Sequence, residues 1–186
     1  LAAGYQPAFH AIGDAANRAA LDLLRGVPKG PFKPRIEHAQ IVADPDARRF
    51  GSVGVIASVQ PVHCASDHPW TPDRLGPGRV QEAYPWRTFL KGGALLAFGT
   101  DAPNDDLNPY AGMAAAETRQ DGENLPPGGF LPAQRLTRTE AIRGFTWGNG
   151  KALGTGQIGV LKPGAVADLL WVEVDLTKVA PAALRK

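Results

Sequence analysis

The sequence predicts an α/β fold built on a parallel sheet, and three observations carry that prediction. Four times an apolar, strand-length run ends close to a group that can ligate or titrate: YQPAFH at His10, PRIEH at His38, VIASVQPVH at His63 and ALLAFGTD at Asp101. Helix-patterned stretches follow these runs, and such alternation marks a parallel sheet. The four polar ends are 28, 25 and 38 residues apart, which brackets the period of about 31 residues in a barrel of eight βα units over roughly 250 residues. A doubly wound sheet shares the alternation, but only the closed barrel sets every strand end at one mouth.

Taken in order, the first helix is expected from Asp14, a candidate N-cap, to Arg25. Ala16, Ala19, Ala20, Leu23 and Leu24 are helically spaced, with Gly26 and Pro28 as stop signals. A shorter helix is expected over Asp44–Phe50, with Pro45 suited to the first turn. PVHCASDHPW and the Pro- and Gly-rich segment 69–78 that overlaps it are expected to be loop, an excursion of the kind that carries function. Gln81–Lys91, closed by Gly92 and Gly93, and Pro109–Arg119 follow as helices. DGENLPPGGFLPAQ is loop by composition. TRTEAIRGFTWGNGKALG predicts a helix opened by a capping box of Thr137 and Glu140 and ended at Gly154. IGVLKPGAVADLLWVEVDL predicts two short strands joined by the turn Lys162-Pro163-Gly164, a piece of a separate small β unit. Gly154, Gly156 and Gly159 spell G-x-G-x-x-G, but they follow a helix rather than open one, so they mark a helix stop and not a dinucleotide loop.

Composition narrows the classes. With 186 residues, 44% of them hydrophobic, the chain can bury a core. Twenty basic and eighteen acidic residues give a net charge of +2 and are scattered, so nucleic acid is not an expected partner. No apolar run approaches the ~18 residues that cross a bilayer, so no membrane partner is expected either. The single cysteine, Cys64, excludes an internal disulfide framework and fits a reducing, cytoplasmic setting. The chain opens on Leu1 in mid-phrase, and a longer parent chain is expected.

Any one of these histidines is as readily a local hydrogen-bonding residue as a ligand. Two histidines and a carboxylate at strand ends, His10, His38 and Asp101, nevertheless suit a divalent metal such as zinc, with a fourth position open to water. Asp101 also suits a turn or cap in GTDAPNDDLNP, a role that fits Asp105 and Asp106 better. His63 and His68 are open to substrate, metal or no ligand, and His63 is favoured by its place at a strand end. Cys64 has no base and orienter beside it in sequence and is read as a plain thiol. Asp67 lies in the loop expected to shape substrate choice. Arg87 in AYPWRTFLKGG is a solvated helix charge or, alternatively, an anion site.

FHAIGDAAN, PRIEHAQIV, ASVQPVHCASDHPW, GTDAPNDDLNPYAGM, TEAIRGFTWGNGKALG and IGVLKPGAVADLLWVEVDL together closely resemble the C-terminal third of amidohydrolase family 3 proteins, in the branch similar to N-substituted formamide deformylases. The resemblance implies a metal-dependent (β/α)8 TIM barrel of which residues 1–153 supply the C-terminal half, strands 5 to 8. It implies that 154–186 are part of a small flanking β-sandwich. It also implies His10 and His38 as metal ligands, Asp101 as both metal ligand and catalytic proton carrier, and His63 near substrate; the residues themselves make Asp67 and Arg87 further substrate-binding candidates. One or two divalent ions, zinc above all, are expected in the full-length protein. The implied reaction is hydrolysis of a non-peptide carbon–nitrogen bond in a small amide or N-substituted formamide by metal-bound hydroxide.

The H-x-H pair that the family carries on strand 1, and its bridging carboxylated lysine or other acidic ligand on strand 4, have no counterpart in this sequence. The expected partners are therefore the missing N-terminal half of the barrel and, because a half-barrel leaves sheet edges and an apolar face bare, further copies of the chain in a homo-oligomer. The fragment alone is expected to be inactive. Two rival readings are a non-catalytic half-barrel remnant that self-associates, and a deaminase of amino-heterocycles.

Overall fold

Four parallel strands lie side by side in chain order: β1 (Ala8–Ala11), β2 (Arg35–His38), β3 (Ile56–Val59) and β4 (Leu95–Phe98). They come from a computed structural model that describes residues 4–26 and 32–185; the expected stop signal Pro28 lies outside the described residues. Phe9 stands opposite Ile36, Ile36 opposite Ala57 and Ala57 opposite Leu96. Ile36, Ile56 and Ala57 are wholly buried, as a parallel sheet covered on both faces requires.

Between and after the strands run α1 (Asp14–Leu24), α2 (Asp44–Ala47), α3 (Arg49–Val53), α4 (Pro61–Asp67), α5 (Thr71–Arg79), α6 (Trp86–Lys91), α7 (Pro109–Thr118), α8 (Arg138–Arg143) and α9 (Asn149–Ala152). Leu21 and Leu24 of α1, Val42, Phe50, Trp86 and Phe89 pack into one core with Leu96, and the Phe50 and Phe89 rings are 4.5 Å apart between centroids. Among the described residues no helix is long and apolar enough to cross a membrane.

The helix starts show how side chains set the geometry. At α1 the N-cap is Gly13 and not Asp14, which becomes the first helical residue and places its charge at the positive end of the helix dipole. Buried Asn17 donates to the carbonyls of Ala11 at 3.1 Å and Gly13 at 2.9 Å, tying the end of β1 to α1. Asn108 caps α7 by accepting from the Tyr110 N–H at 2.9 Å, and the capping box of Thr137 and Glu140 opens α8 as expected.

A π-helical stretch, Gly144–Gly148, carries α8 into α9. It lies directly on the sheet: a Cβ at Gly148 would fall 2.1 Å from the Leu96 carbonyl oxygen. The next residue, Asn149, accepts from the Phe98 N–H at 3.0 Å and donates to the Phe98 carbonyl at 2.9 Å.

Four further expectations are corrected. The supposed loop after β3 is helical, as α4 and α5. Its prolines, Pro61 and Pro72, occupy first turns, where the missing N–H costs nothing, and Gly76 with Pro77 makes a kink at φ 71°. His63 is accordingly not at a strand end, because β3 stops at Val59 and His63 lies in the first turn of α4. The expected helix Gln81–Lys91 begins only at Trp86: Pro85 disfavours helical backbone at Tyr84, which lies in the left-handed region at φ 51°. In 158–176 the Lys162 turn forms, with Ala165 N–H donating to the Lys162 carbonyl at 3.1 Å, but no strands do. One cross-segment bond, Val166 to Gln157, does not make a ladder. Leu161, Leu169, Leu170 and Trp171 are exposed with no layer over them, and a lone hairpin is marginal in water.

Candidate metal centre

The carboxyl ends of the strands converge. His10 is the third residue of β1 and His38 the last of β2, and their rings meet edge to face with centroids 4.5 Å apart. The His63 ring stacks parallel to that of His38 at 5.8 Å. Asp101 lies three residues past β4. The nearest donor atoms of His38, His63 and Asp101 all lie within 4.8 Å of one another. The ladder continues past the strands to hold this rim, with Ala39 N–H donating to the Ala11 carbonyl at 2.9 Å and Gly99 N–H to the Val59 carbonyl at 3.1 Å.

The rim is strained. His38, Ala39 and Asp101 have φ of 74°, 43° and 62°. Left-handed backbone costs an L-residue roughly 1–2 kcal/mol each and gathers at functional sites. Burial, and then the neighbouring His10, hold the His38 imidazole below its ordinary range against the pull of Asp101, which keeps it in the neutral form that binds metals.

His38 Nδ1 and His63 Nε2 are buried and make no hydrogen bond. Asp105 Oδ2 is 3.1 Å from His63 Nε2, and Asp101 Oδ2 is 4.0 Å from it, but neither completes a hydrogen bond to this nitrogen. Unpaired atoms also occur singly at Asn17, Gln60, Glu82 and Trp86. The histidine pair alone stands inside a donor cluster, among the described residues. Imidazole nitrogens and carboxylate oxygens with unspent lone pairs fit a divalent cation.

The structure therefore brings His10, His38, His63 and Asp101 together. Asp67, one turn beyond His63 on α4, accepts from the Tyr84 hydroxyl and from Gln40 at 3.0 Å. Arg87 clamps α6 to α8: it donates to both oxygens of Glu140 at 2.7 Å and to the Arg135 carbonyl at 2.8 Å, so its guanidinium is committed to the fold. That ion pair brings the Glu140 carboxyl to about 2 despite burial. His68 pairs with Asp121 at 3.1 Å. Burial pushes the Cys64 thiol up to about 11, so it stays protonated and inert as expected.

Two features escaped the sequence reading. Asp105 reaches His63, although its sole signal was a second carboxylate four residues past Asp101; Asp106 does keep a turn role, accepting from the Asn108 N–H at 3.0 Å. The bonds among Gln40, Asp67 and Tyr84 had no sequence signal at all.

A parallel α/β sheet that gathers imidazoles and a carboxylate beside its carboxyl edge has the donors of a metal centre. The signature of the amidohydrolase family matches residues 2–186, and this chain belongs to amidohydrolase family 3. Protein LONG AFTER FAR-RED 3 of Arabidopsis thaliana is 37% identical over 176 residues, which cover 90% of this chain and 29% of that protein. An uncharacterized metal-dependent hydrolase from Pyrococcus horikoshii OT3 is similar with a TM-score of 0.85 and 32% identity over 97% of this chain and 36% of that one. A second, from Pyrococcus furiosus, has a TM-score of 0.79 and 32% identity over 94% of this chain and 35% of that one. The chain thus spans about a third of the length of the relatives it matches.

Proposed function

We propose that this chain supplies part of the metal centre of a hydrolase that cleaves carbon–nitrogen bonds other than peptide bonds, in amide or N-substituted formamide substrates. His10, His38 and Asp101 hold a divalent cation, zinc being the ion these donors suit best. The observation that carries this reading is that the His10 ring meets that of His38, whose Nδ1 is buried and unpaired, beside Asp101 at the carboxyl edge of the sheet.

A cation held there lowers the pKa of water and polarises a substrate carbonyl. The rest falls to side chains. Asp101, exposed at the rim, takes the proton from the attacking water as the new C–O bond forms and returns it to the nitrogen as the C–N bond breaks. His63 faces the same space and orients the substrate carbonyl. The whole protein works in a reducing compartment, where Cys64 stays a thiol.

A second arrangement is favoured by one observation: the closest donor set contains His63 in place of His10. Metal analysis of the whole protein separates the two. His38→Ala is expected to lose the ion at least tenfold and hydrolysis with it. His10→Ala is expected to do the same, while His63→Ala keeps the ion and raises KM. Ion loss in His63→Ala but not in His10→Ala establishes the second arrangement, and unchanged ion content in His38→Ala overturns both.

A further inference from the structure

Behind the imidazoles runs a buried network that the proposed chemistry leaves unused. Tyr84 is 2% exposed. Its hydroxyl donates to Asp67 Oδ2 and accepts from Gln40 Nε2 at 2.5 Å, while the same amide reaches Asp67 Oδ2 at 3.0 Å. The Tyr84 N–H also donates to the Gln40 carbonyl at 2.5 Å. Gln40 follows His38 by two residues, and Asp67 follows His63 by one helical turn on α4.

We infer that Tyr84 is a positioning residue for the metal centre: its hydroxyl ties the segment that leaves His38 to the helix that carries His63, and so sets the separation of the two imidazoles. This rests on the second arrangement above, in which His38 and His63 both hold the cation. The tyrosine is itself held fast. Its left-handed backbone, at φ 51°, is secured by wholly buried Arg119, whose Nη1 donates to the Tyr84 carbonyl at 3.1 Å and whose guanidinium lies 4.5 Å over the Trp86 ring. Burial first, and then the bond to Asp67, push the phenol far above its ordinary range, so the hydroxyl remains a donor at any working pH. Groups that orient metal ligands from behind typically alter affinity by about 10–100-fold when removed.

The test is the zinc affinity of the whole protein, read by chelator competition, together with the visible spectrum of its cobalt form. Tyr84→Phe keeps the ring and deletes the hydroxyl; it is expected to weaken zinc about tenfold and to shift the cobalt bands. Gln40→Met, which leaves the Tyr84–Asp67 bond and cuts the link behind His38, is expected to act in the same direction and decides the matter if Tyr84→Phe does not fold. Arg138→Ala serves as the structural control. It breaks bonds to Glu117 at 2.7 Å and to the Leu176 carbonyl at 2.5 Å, and is expected to lower Tm with zinc affinity unchanged. A wild-type protein that binds no zinc overturns the metal reading and this inference with it. A wild-type protein that binds zinc, with both network variants within twofold of it, overturns the inference alone.

Discussion

Arg119 and His38 both take polar atoms out of water, yet they are treated in opposite ways. Arg119, wholly buried, donates to the carbonyls of Phe130, Tyr84 and Ala83 and stacks on Trp86. His38 leaves Nδ1 with no partner, on a backbone held at φ 74°. Satisfaction, rather than burial, is what distinguishes the two side chains.

That contrast breaks most readily at Arg119. Arg119→Ala strands the Phe130 and Ala83 carbonyls and opens a cavity, and urea unfolding is expected to show a loss of about 3–5 kcal/mol. In the same titration the metal-free His38→Ala variant should change by less, since it removes an imidazole whose buried Nδ1 makes no hydrogen bond. A loss at His38 equal to that at Arg119 would erase the distinction.

A smaller effect sharpens it at the clamp of Arg87 and Glu140. The Glu140 carboxyl titrates near 4.5 when unperturbed and at about 2 in the fold. A depressed folded value means that the pair stabilises fully above 4.5 and fades as the pH falls towards 2. The Tm advantage of the wild type over Glu140→Gln should therefore hold at neutral pH and shrink across that window; a constant difference would show that the charge contributes nothing. The smallest effect belongs to 158–176. Trp171 is 83% exposed, and Trp171→Ser should move the unfolding midpoint by no more than about 0.5 kcal/mol.

The sheet was legible because its strands are short apolar runs closed by polar groups. Asp14 to Leu24, Pro109 to Thr118 and the capping box at Thr137 were legible because side-chain periodicity and caps act within one or two turns. Segment 61–79 was not. First-turn prolines and a glycine kink have the composition of a loop, and nothing local tells the two apart. At the site, His10, His38, His63 and Asp101 could be picked out one by one, since each follows its own apolar run. What could not be picked out was any relation created by crossovers, whether Asp105 against His63 or Gln40, Asp67 and Tyr84 around one hydroxyl.

Asn149 has one more consequence. An amide that accepts from the N–H and donates to the C=O of a single residue, Phe98, does there what an adjoining strand would do. The open side of β4 is plugged at that point from within the chain. A foreign segment seeking to extend the layer at β4 must first evict this side chain, which makes that point of the edge a poor template for pairing.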